Sequence, residues 1–490
     1  MKGKLNILLV SSEVVPFSKT GGLADVAGAL PKALFSLGLA DVRVITPKYK
    51  TVDEDKFGLK EIGKISVPIS DKIETGKVKF SVFPKVGVPV YFIENDKYYM
   101  RDELYRTKNG DYPDNAERFI FFSRGVLEAM KLIDWVPDVI HCNDWQTGLI
   151  PAYLKTIYKD DKFYKKTATV FTIHNLAYQG LYSKEMYSLT GLPEELFSPS
   201  GIEFWGSMNL MKSGLVYSDV ISTVSETYAQ EIQTTDEFGR GLEGVLRDKK
   251  NDLYGIVNGI DYEEWSPETD EYIAINYDLV NIRKKKRNKD ALLSINELPV
   301  LKDFPLIGLI SRLDDQKGFD ILSEVMDELM DMDIQFVLLG TGDKKYHELF
   351  EGLESKYPEK LSVNLVFNNK IAHQIYAGSD IFLMPSKFEP CGLGQLISFR
   401  YGTVPVVRAT GGLADTVEDF DLKSGKGTGF VFKEYSSGAL LATLKRAIDI
   451  YHNRKAWAKL VISAMTADFS WENSAKKYID LYEKALEKRS

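Results

Sequence analysis

Cysteine is scarce in this chain. Its 490 residues contain two, Cys142 and Cys391, far apart in sequence. That excludes a disulfide framework and a four-thiolate zinc site. Histidine is nearly as rare, with five residues. Neither HExxH nor a clustered His/Cys spacing occurs, so no protein-built metal site is expected. No run of about 18 apolar residues is present, so no membrane span is expected. The hydrophobic run in the N-terminal MKGKLNILLVSS is too short for a signal h-region, and no small-residue cleavage site follows it. An excess of positive charge is also missing: 62 Lys and Arg against 70 Asp and Glu leave a net charge of −8. Such a chain has no global electrostatic reason to bind nucleic acid or an anionic membrane. A cytoplasmic location is the expectation, and any anionic ligand must be gripped by a local basic site.

What is present is ordinary globular material, 44% hydrophobic, 27% charged and 12% aromatic, at a length that predicts two to four domains at about 150 residues each. Short runs rich in Val and Ile predict strands at Asn6–Ser11, Val42–Thr46, Val88–Ile93, Val139–Cys142, Thr169–Ile173 and Val220–Val224. Helical patterns such as Leu23–Leu37 and Ala116–Ile133 lie between them. The strand-rich stretch 54–93, broken by Gly and Pro, predicts an antiparallel hairpin insertion. A second series follows at Leu306–Ile310, Ile334–Leu339, Leu361–Phe367, Ile381–Met384 and Val404–Val407. Near-continuous apolar strands alternating with helices predict α/β folding, with parallel sheets covered on both faces. VNGID (Val257–Asp261) is a turn signal between the series. The expected division is therefore 1–257, 258–469 and a C-terminal helix, 470–490. Beyond Ser436 the pattern is helical to the end. From Trp471 it places Ala475, Tyr478, Ile479, Tyr482 and Leu486 on one face, which must dock on something. One internal echo occurs: TGGLAD at Thr20–Asp25 recurs at Thr410–Asp415.

Several segments carry candidate chemistry. In KTGGLADVAGALPKAL, from Lys19, the Gly21–Gly22 pair opens a helix whose N–H groups and dipole favour an anion. Lys19 adds a cation, although a solvated loop lysine would look the same. Neither a Walker loop nor GxGxxG is present. SRLDDQKGFD brings Arg312 and Lys317 just past a strand, where open α/β sheets bind ligands, as a fork and a point charge suited to a diphosphate. In PSKFEPCGLGQL, Glu389 precedes a Gly-rich turn, and the N–H groups near Gly392–Gly394 could donate to oxygens; a helix-start glutamate is equally a dipole partner. Cys391 has no neighbour that would make it a thiolate. TIHNLAYQG and HCNDWQTGL end strands with His174 and with His141 and Asp144, and a structural role for either histidine stays open. No GxSxG elbow occurs, which weakens a hydrolase assignment.

In this order, over essentially the whole chain, these motifs together with VNGIDYEEWSPETD, RYGTVPVVRATGGLADTV and WENSAKKY resemble the glycogen and starch synthases, most closely the bacterial ADP-glucose type. The resemblance implies two Rossmann-like domains facing across a cleft (GT-B), with the last helix crossing back to the first. It implies an N-terminal domain on the acceptor side and a C-terminal domain on the donor side. Lys19, Gly21 and Gly22 match the motif near the donor phosphates and sugar, and Arg312 with Lys317 the diphosphate pair. Glu389 matches the carboxylate against the transferred glucose, with the Gly392, Leu393 and Gly394 amides nearby. His174 and Asp144 match groups facing that glucose, and Phe367 an aromatic on the base. Glu13, Asp25, Tyr112 and Asn258 match acceptor-side positions. The chain departs from the pattern at Asn143 and Gln146, which replace histidines and are expected to tune the acceptor side. It departs again at Gly394, which replaces a threonine and so removes a hydroxyl near the phosphates.

The implied reaction moves glucose, with retention, from ADP-glucose to the 4-hydroxyl of an α-1,4-glucan, with no cofactor. Preorganised cations would stabilise charge on the leaving diphosphate, and the departing phosphate would take the proton of the incoming hydroxyl. A different retaining sugar-nucleotide transferase, a pyridoxal-phosphate-dependent phosphorylase and a non-catalytic glycan-binding protein are the competing assignments. The last should have lost its charged site residues, yet Lys19, Arg312, Lys317 and Glu389 are all present.

Overall fold

The computed structural model describes residues 4–38, 40–107 and 110–489; of the N-terminal run weighed above as a leader, Met1–Gly3 lie outside them. The chain divides into two units, Met1–Asn258 with Trp471–Ser490, and Gly259–Ser470.

The first unit is built on β1 (Leu5–Val10), β2 (Ala40–Pro47), β3 (Lys60–Ile69), β4 (Lys72–Val82), β5 (Pro89–Glu94), β6 (Val139–Asn143), β7 (Ala168–Ile173), β8 (Val220–Thr223) and β9 (Leu253–Gly255). They form one sheet in the order β9-β8-β7-β6-β1-β2-β5-β4-β3. The pairs from β9 through β5 are parallel. Every residue of β6 and β7 is buried, as expected of strands covered on both faces. The 54–93 stretch is the expected antiparallel hairpin: β3 pairs with β4, and β4 continues the sheet against β5. Without that hairpin the order is the doubly wound one, winding outward in both directions from β1 and β6.

Helices α1 (Gly22–Ser36) and α2 (Asn115–Leu132) cover this sheet. The buried Arg118 of α2 is held by Tyr98 O at 2.7 Å, Leu104 O at 2.9 Å and Asn115 Oδ1 at 2.6 Å, so no guanidinium charge is left unsolvated. The C-terminal helix Trp471–Arg489 belongs to this unit. It buries Trp471, Tyr478, Leu481 and Tyr482, each contributing about 1.5–3 kcal/mol by apolar burial. Tyr482 Oη lies 2.9 Å from His141 Nδ1, and Thr172 Oγ1 lies 2.6 Å from His141 Nε2. His141 is thus fully partnered, and burial lowers its pKa to about 3.

The second unit carries β10 (Leu306–Ile310), β11 (Gln335–Leu339), β12 (Leu361–Asn364), β13 (Ile381–Met384), β14 (Val404–Arg408) and β15 (Phe430–Phe432). All are parallel, in the order β12-β11-β10-β13-β14-β15. This is the dinucleotide-fold order, reversing between β10 and β13. Both units therefore have the expected α/β, Rossmann-like class.

Three local expectations are corrected. The strand expected over Leu361–Phe367 ends at Asn364, whose amide turns to Asn296 Oδ1 and Leu338 O. Asn368 then caps the next helix through Ile371 N–H. The helical pattern beyond Ser436 is interrupted after Thr466, where Ile260 N–H donates to Phe469 O at 2.9 Å. The short strands β9 and β15 were not expected, because three residues carry too little periodicity to be recognised.

Candidate active site

In a doubly wound sheet the crevice opens where the strand order reverses, beyond the carboxyl ends of the strands. In the first unit those are the ends of β1 and β6. The chain leaves β1 through Ser11 and Ser12 to Glu13, which is buried. Its carboxylate accepts the Thr20 N–H, the Thr20 hydroxyl at 3.0 Å and the Gly21 N–H at 3.2 Å. Burial raises its pKa, and the bonds from Thr20 and Gly21 oppose that rise. Glu13 thereby ties the Lys19–Gly21 turn to the end of β1. Gly21 is the N-cap of α1 without a side-chain cap, and a Cβ there would meet nothing within 4 Å. The space before this helix start is open to a ligand. Lys19 Nζ lies 2.6 Å from Asp25 Oδ1, both side chains partly exposed.

Asp144 follows β6 directly. Its φ of 56° and ψ of 179° lie in a region that side chains other than glycine rarely adopt, at a cost of about 1–3 kcal/mol. Asp144 Oδ1 accepts the His174 N–H at 2.7 Å. Burial pushes the Asp144 carboxyl up to about 7, against the bonds from the His174 and Asn175 backbone, with the Glu13 charge adding to the rise. His174 is half-buried at the end of β7, and burial lowers its pKa to about 3. The two strand-end histidines thus differ: His141 is a fully buried structural ring, whereas His174 is only half-buried. Asn258 is buried, with its Oδ1 lacking a partner. Tyr112 sits under the guanidinium groups of Arg101 and Arg118, at 4.6 and 5.0 Å.

The departures at 143 and 146 behave differently from each other. Asn143 Oδ1 lies 2.9 Å from His174 Nε2, so its influence reaches the site through the His174 ring. Gln146 is buried, with its Oε1 unpartnered.

In the second unit the reversal lies between β10 and β13, and a cavity of about 170 Å³ opens there. Arg312, Lys317, Ser386, Glu389, Gly392 and Gly394 line it, with Leu393 beside them. Lys317 Nζ is 2.7 Å from Glu389 Oε2, with the two side chains 15% and 9% exposed. The Ser386 hydroxyl donates to the same oxygen at 3.0 Å. Arg312 is more open and lies 3.5 Å from Asp314. Burial raises the Asp314 pKa, opposed by the charges of Arg312 and Lys317. Gly392, at φ +72°, turns the chain into α3 (Gly394–Arg400). Phe367 is 82% exposed in the loop after β12.

The repeated TGGLAD has two uses. At its second copy, Gly411 and Gly412 open the short helix α4 (Gly411–Thr416). A Cβ on Gly411 would come within 2.0 Å of Glu389 O, and one on Gly412 within 2.1 Å of Cys391 O. Gly412 N–H donates to Glu389 O and Pro390 O at 3.2 and 3.1 Å. These glycines let a backbone brace the Glu389 turn. Neither they nor Ser386 was singled out as a site residue; the repeat itself marked the glycines, and nothing local marks the serine. At Gly394 a Cβ would meet the Phe382 ring at 2.7 Å, so packing as well as the missing hydroxyl distinguishes glycine from a larger residue there.

Residues 6–248 match the family described as starch synthase catalytic domain, and residues 293–461 the glycosyl transferases group 1. The chain is 52% identical to the glycogen synthase of Thermosipho africanus, covering 99% of this chain and all of that protein. It belongs to the glycogen and starch synthase family. It is 51% identical to the Desulforudis audaxviator glycogen synthase, over 99% of this chain and 97% of the relative. The catalytic domain of starch synthase IV from Arabidopsis thaliana, solved with ADP and acarbose bound, superposes with a TM-score of 0.91 at 33% identity, over 99% of this chain and all of that one. A sucrose-phosphate synthase from Thermosynechococcus elongatus, at 16% identity and a TM-score of 0.60 over 98% of both chains, shares the fold. Membership makes this chain a hexosyltransferase of glycogen biosynthesis, with GT-B-type units.

Proposed function

We propose that this chain is a cytoplasmic enzyme that transfers glucose, with retention, from ADP-glucose to the non-reducing 4-hydroxyl of an α-1,4-glucan. The observation that carries this is the Lys317–Glu389 pair, 2.7 Å apart in a cavity shared with Arg312 at the sheet's point of reversal. A point charge and a guanidinium fork suit a diphosphate, and a carboxylate beside them suits a sugar that becomes cationic as the diphosphate leaves. Ligands of the same chemistry, ADP and acarbose, occupy the related Arabidopsis structure.

On this proposal residues 258–469 form the donor domain. Arg312 and Lys317 hold the diphosphate and take up the charge that develops on it. Such preorganised charge requires no rearrangement at the moment of reaction. Glu389, held at one oxygen by Lys317 and Ser386, presents the other to the glucose. The Gly392, Leu393 and Gly394 amides serve its hydroxyls, and Phe367 supplies an aromatic surface for the base. Residues 1–257 form the acceptor domain, with 470–490 as its closing helix. There Asp144 and His174 face the transferred glucose, Lys19 with Gly21 and Gly22 serve the donor, and Glu13, Asp25, Tyr112 and Asn258 serve the glucan. Glu13 does so indirectly, by anchoring the Thr20–Gly21 turn. Attack is from the face the diphosphate leaves, and the departing phosphate accepts the proton of the incoming hydroxyl.

The test is nucleotide release from ADP-glucose and UDP-glucose, with and without α-glucan, on the wild type and Lys19→Ala. ADP release that needs glucan, exceeds UDP release and falls in Lys19→Ala is the expected result. Equal use of both donors overturns the donor assignment, and binding of glucan without any release overturns the reaction.

A further inference from the structure

Asn143 is buried at the end of β6, and its amide has three neighbours. Nδ2 lies 3.1 Å from Val10 O and 3.3 Å from His141 O, and Oδ1 lies 2.9 Å from His174 Nε2. Backbone carbonyls only accept, so the nitrogen must face them, and the amide cannot be turned around without placing three oxygens together. The amide oxygen also only accepts. The proton between Asn143 and His174 therefore sits on the histidine. The His174 backbone is pinned independently by its N–H bond to Asp144 Oδ1 at 2.7 Å.

We infer that Asn143 is a positioning residue that locks His174 in the tautomer protonated at Nε2, leaving Nδ1 as a hydrogen-bond acceptor for a sugar hydroxyl. The sugar part of this inference rests on the proposed function; the tautomer does not. Burial keeps the ring neutral at ordinary pH, so the second nitrogen carries a lone pair. A neutral imidazole has one donor and one acceptor, and the bond made behind the ring decides which nitrogen is which. The histidine that the family pattern has at this position could do the same, donating from one nitrogen and accepting at the other. That makes Asn143→His the conservative replacement.

The test uses the full chain labelled with ¹⁵N-histidine, where only five histidines contribute. Long-range ¹H–¹⁵N correlation distinguishes a protonated from a bare ring nitrogen, and His174→Gln assigns the resonance. The wild type should show neutral His174 with its proton on Nε2. Asn143→Leu, checked for folding by circular dichroism, should lose that single tautomer. Its kcat should fall about 10–100-fold while the donor KM changes less than about threefold, as expected when a catalytic imidazole loses its orienting bond. Asn143→His should restore the tautomer and bring kcat within about fivefold of wild type. A wild-type His174 protonated on Nδ1 overturns the inference, whether or not the leucine variant folds. So does an Asn143→Leu enzyme with unchanged spectrum and kcat, or an Asn143→His enzyme as impaired as Asn143→Leu. If the enzyme transfers nothing from ADP-glucose, the proposed function fails on its own, and the ring spectrum still decides the tautomer.

Discussion

Replacing Lys317 by alanine tests the donor site most directly. Its ammonium lies 2.7 Å from the Glu389 carboxylate, with the side chains 15% and 9% exposed. Two unit charges at that separation attract by about 6 kcal/mol at an effective dielectric of about 20. Desolvation offsets part of this, and removing one partner of such a pair costs about 3–5 kcal/mol because the other charge stays buried. The Ser386 hydroxyl at 3.0 Å can only partly replace the lysine. The same ammonium is assigned to the leaving diphosphate, where losing one preorganised donor lowers turnover about 10²–10³-fold. Lys317→Ala should therefore reduce kcat by about 10³-fold, a rise of about 4 kcal/mol in the barrier. The assay is the initial rate of ADP release from ADP-glucose with a glucan primer, alongside thermal melts that report folding. A cycle with Glu389→Gln should be less than additive, with a coupling of about 1–3 kcal/mol, because the two groups hold each other. Folded Lys317→Ala protein that turns over within about threefold of wild type would refute the donor-site assignment.

The strained carboxylate at Asp144 gives a pH prediction. Its folded pKa is raised to about 7 from 3.8, so the native state holds a proton that the unfolded chain has lost. Its contribution to stability therefore falls as pH rises from about 4 to about 7, by on the order of 4 kcal/mol in total. Melts of Asp144→Asn should lack this slope and exceed wild type most at pH 8; parallel melting curves at every pH would contradict the burial argument. Asp144→Gly should relieve about 1–3 kcal/mol of backbone strain while transfer collapses, and a glycine variant that melts no higher than Asp144→Asn would rule the strain out. Gly394→Thr should lose about 1–3 kcal/mol through overpacking against Phe382, without tighter donor binding in calorimetry. Gly411→Ala, whose Cβ would meet Glu389 O at 2.0 Å, should displace the Glu389 turn and weaken binding of ADP about tenfold or more; unchanged ADP affinity would show that α4 does not brace it.

Much of the fold could be read along the chain because its causes are local. The central strands of each sheet are buried on both faces, so near-continuous runs such as ATVFTI at Ala168–Ile173 announced them. The apolar stripe of the last helix announced a docking face, and Tyr478 and Tyr482 are indeed buried. Expectations failed where side-chain hydrogen bonds or very short pairings overrode periodicity, as at Asn364 and at β9 and β15. At the site, the charged residues were visible because cations and carboxylates next to glycine-rich turns are distinctive residue types at strand ends.

Residue types, strand and helix periods and the ordered motifs together specified the α/β class, the family and the candidate charges, since each depends on neighbours a few positions away. Tertiary structure alone decided what those residues do to one another. Glu389 meets Lys317 across 72 positions, and His174 meets Asn143 across 31. Glu13 is spent on anchoring the Thr20–Gly21 turn, and Gly411 braces the backbone of Glu389. Such distances, and the burial that lifts Asp144 and depresses His174, follow from how helices and strands pack around the reversal of each sheet, which no local pattern encodes.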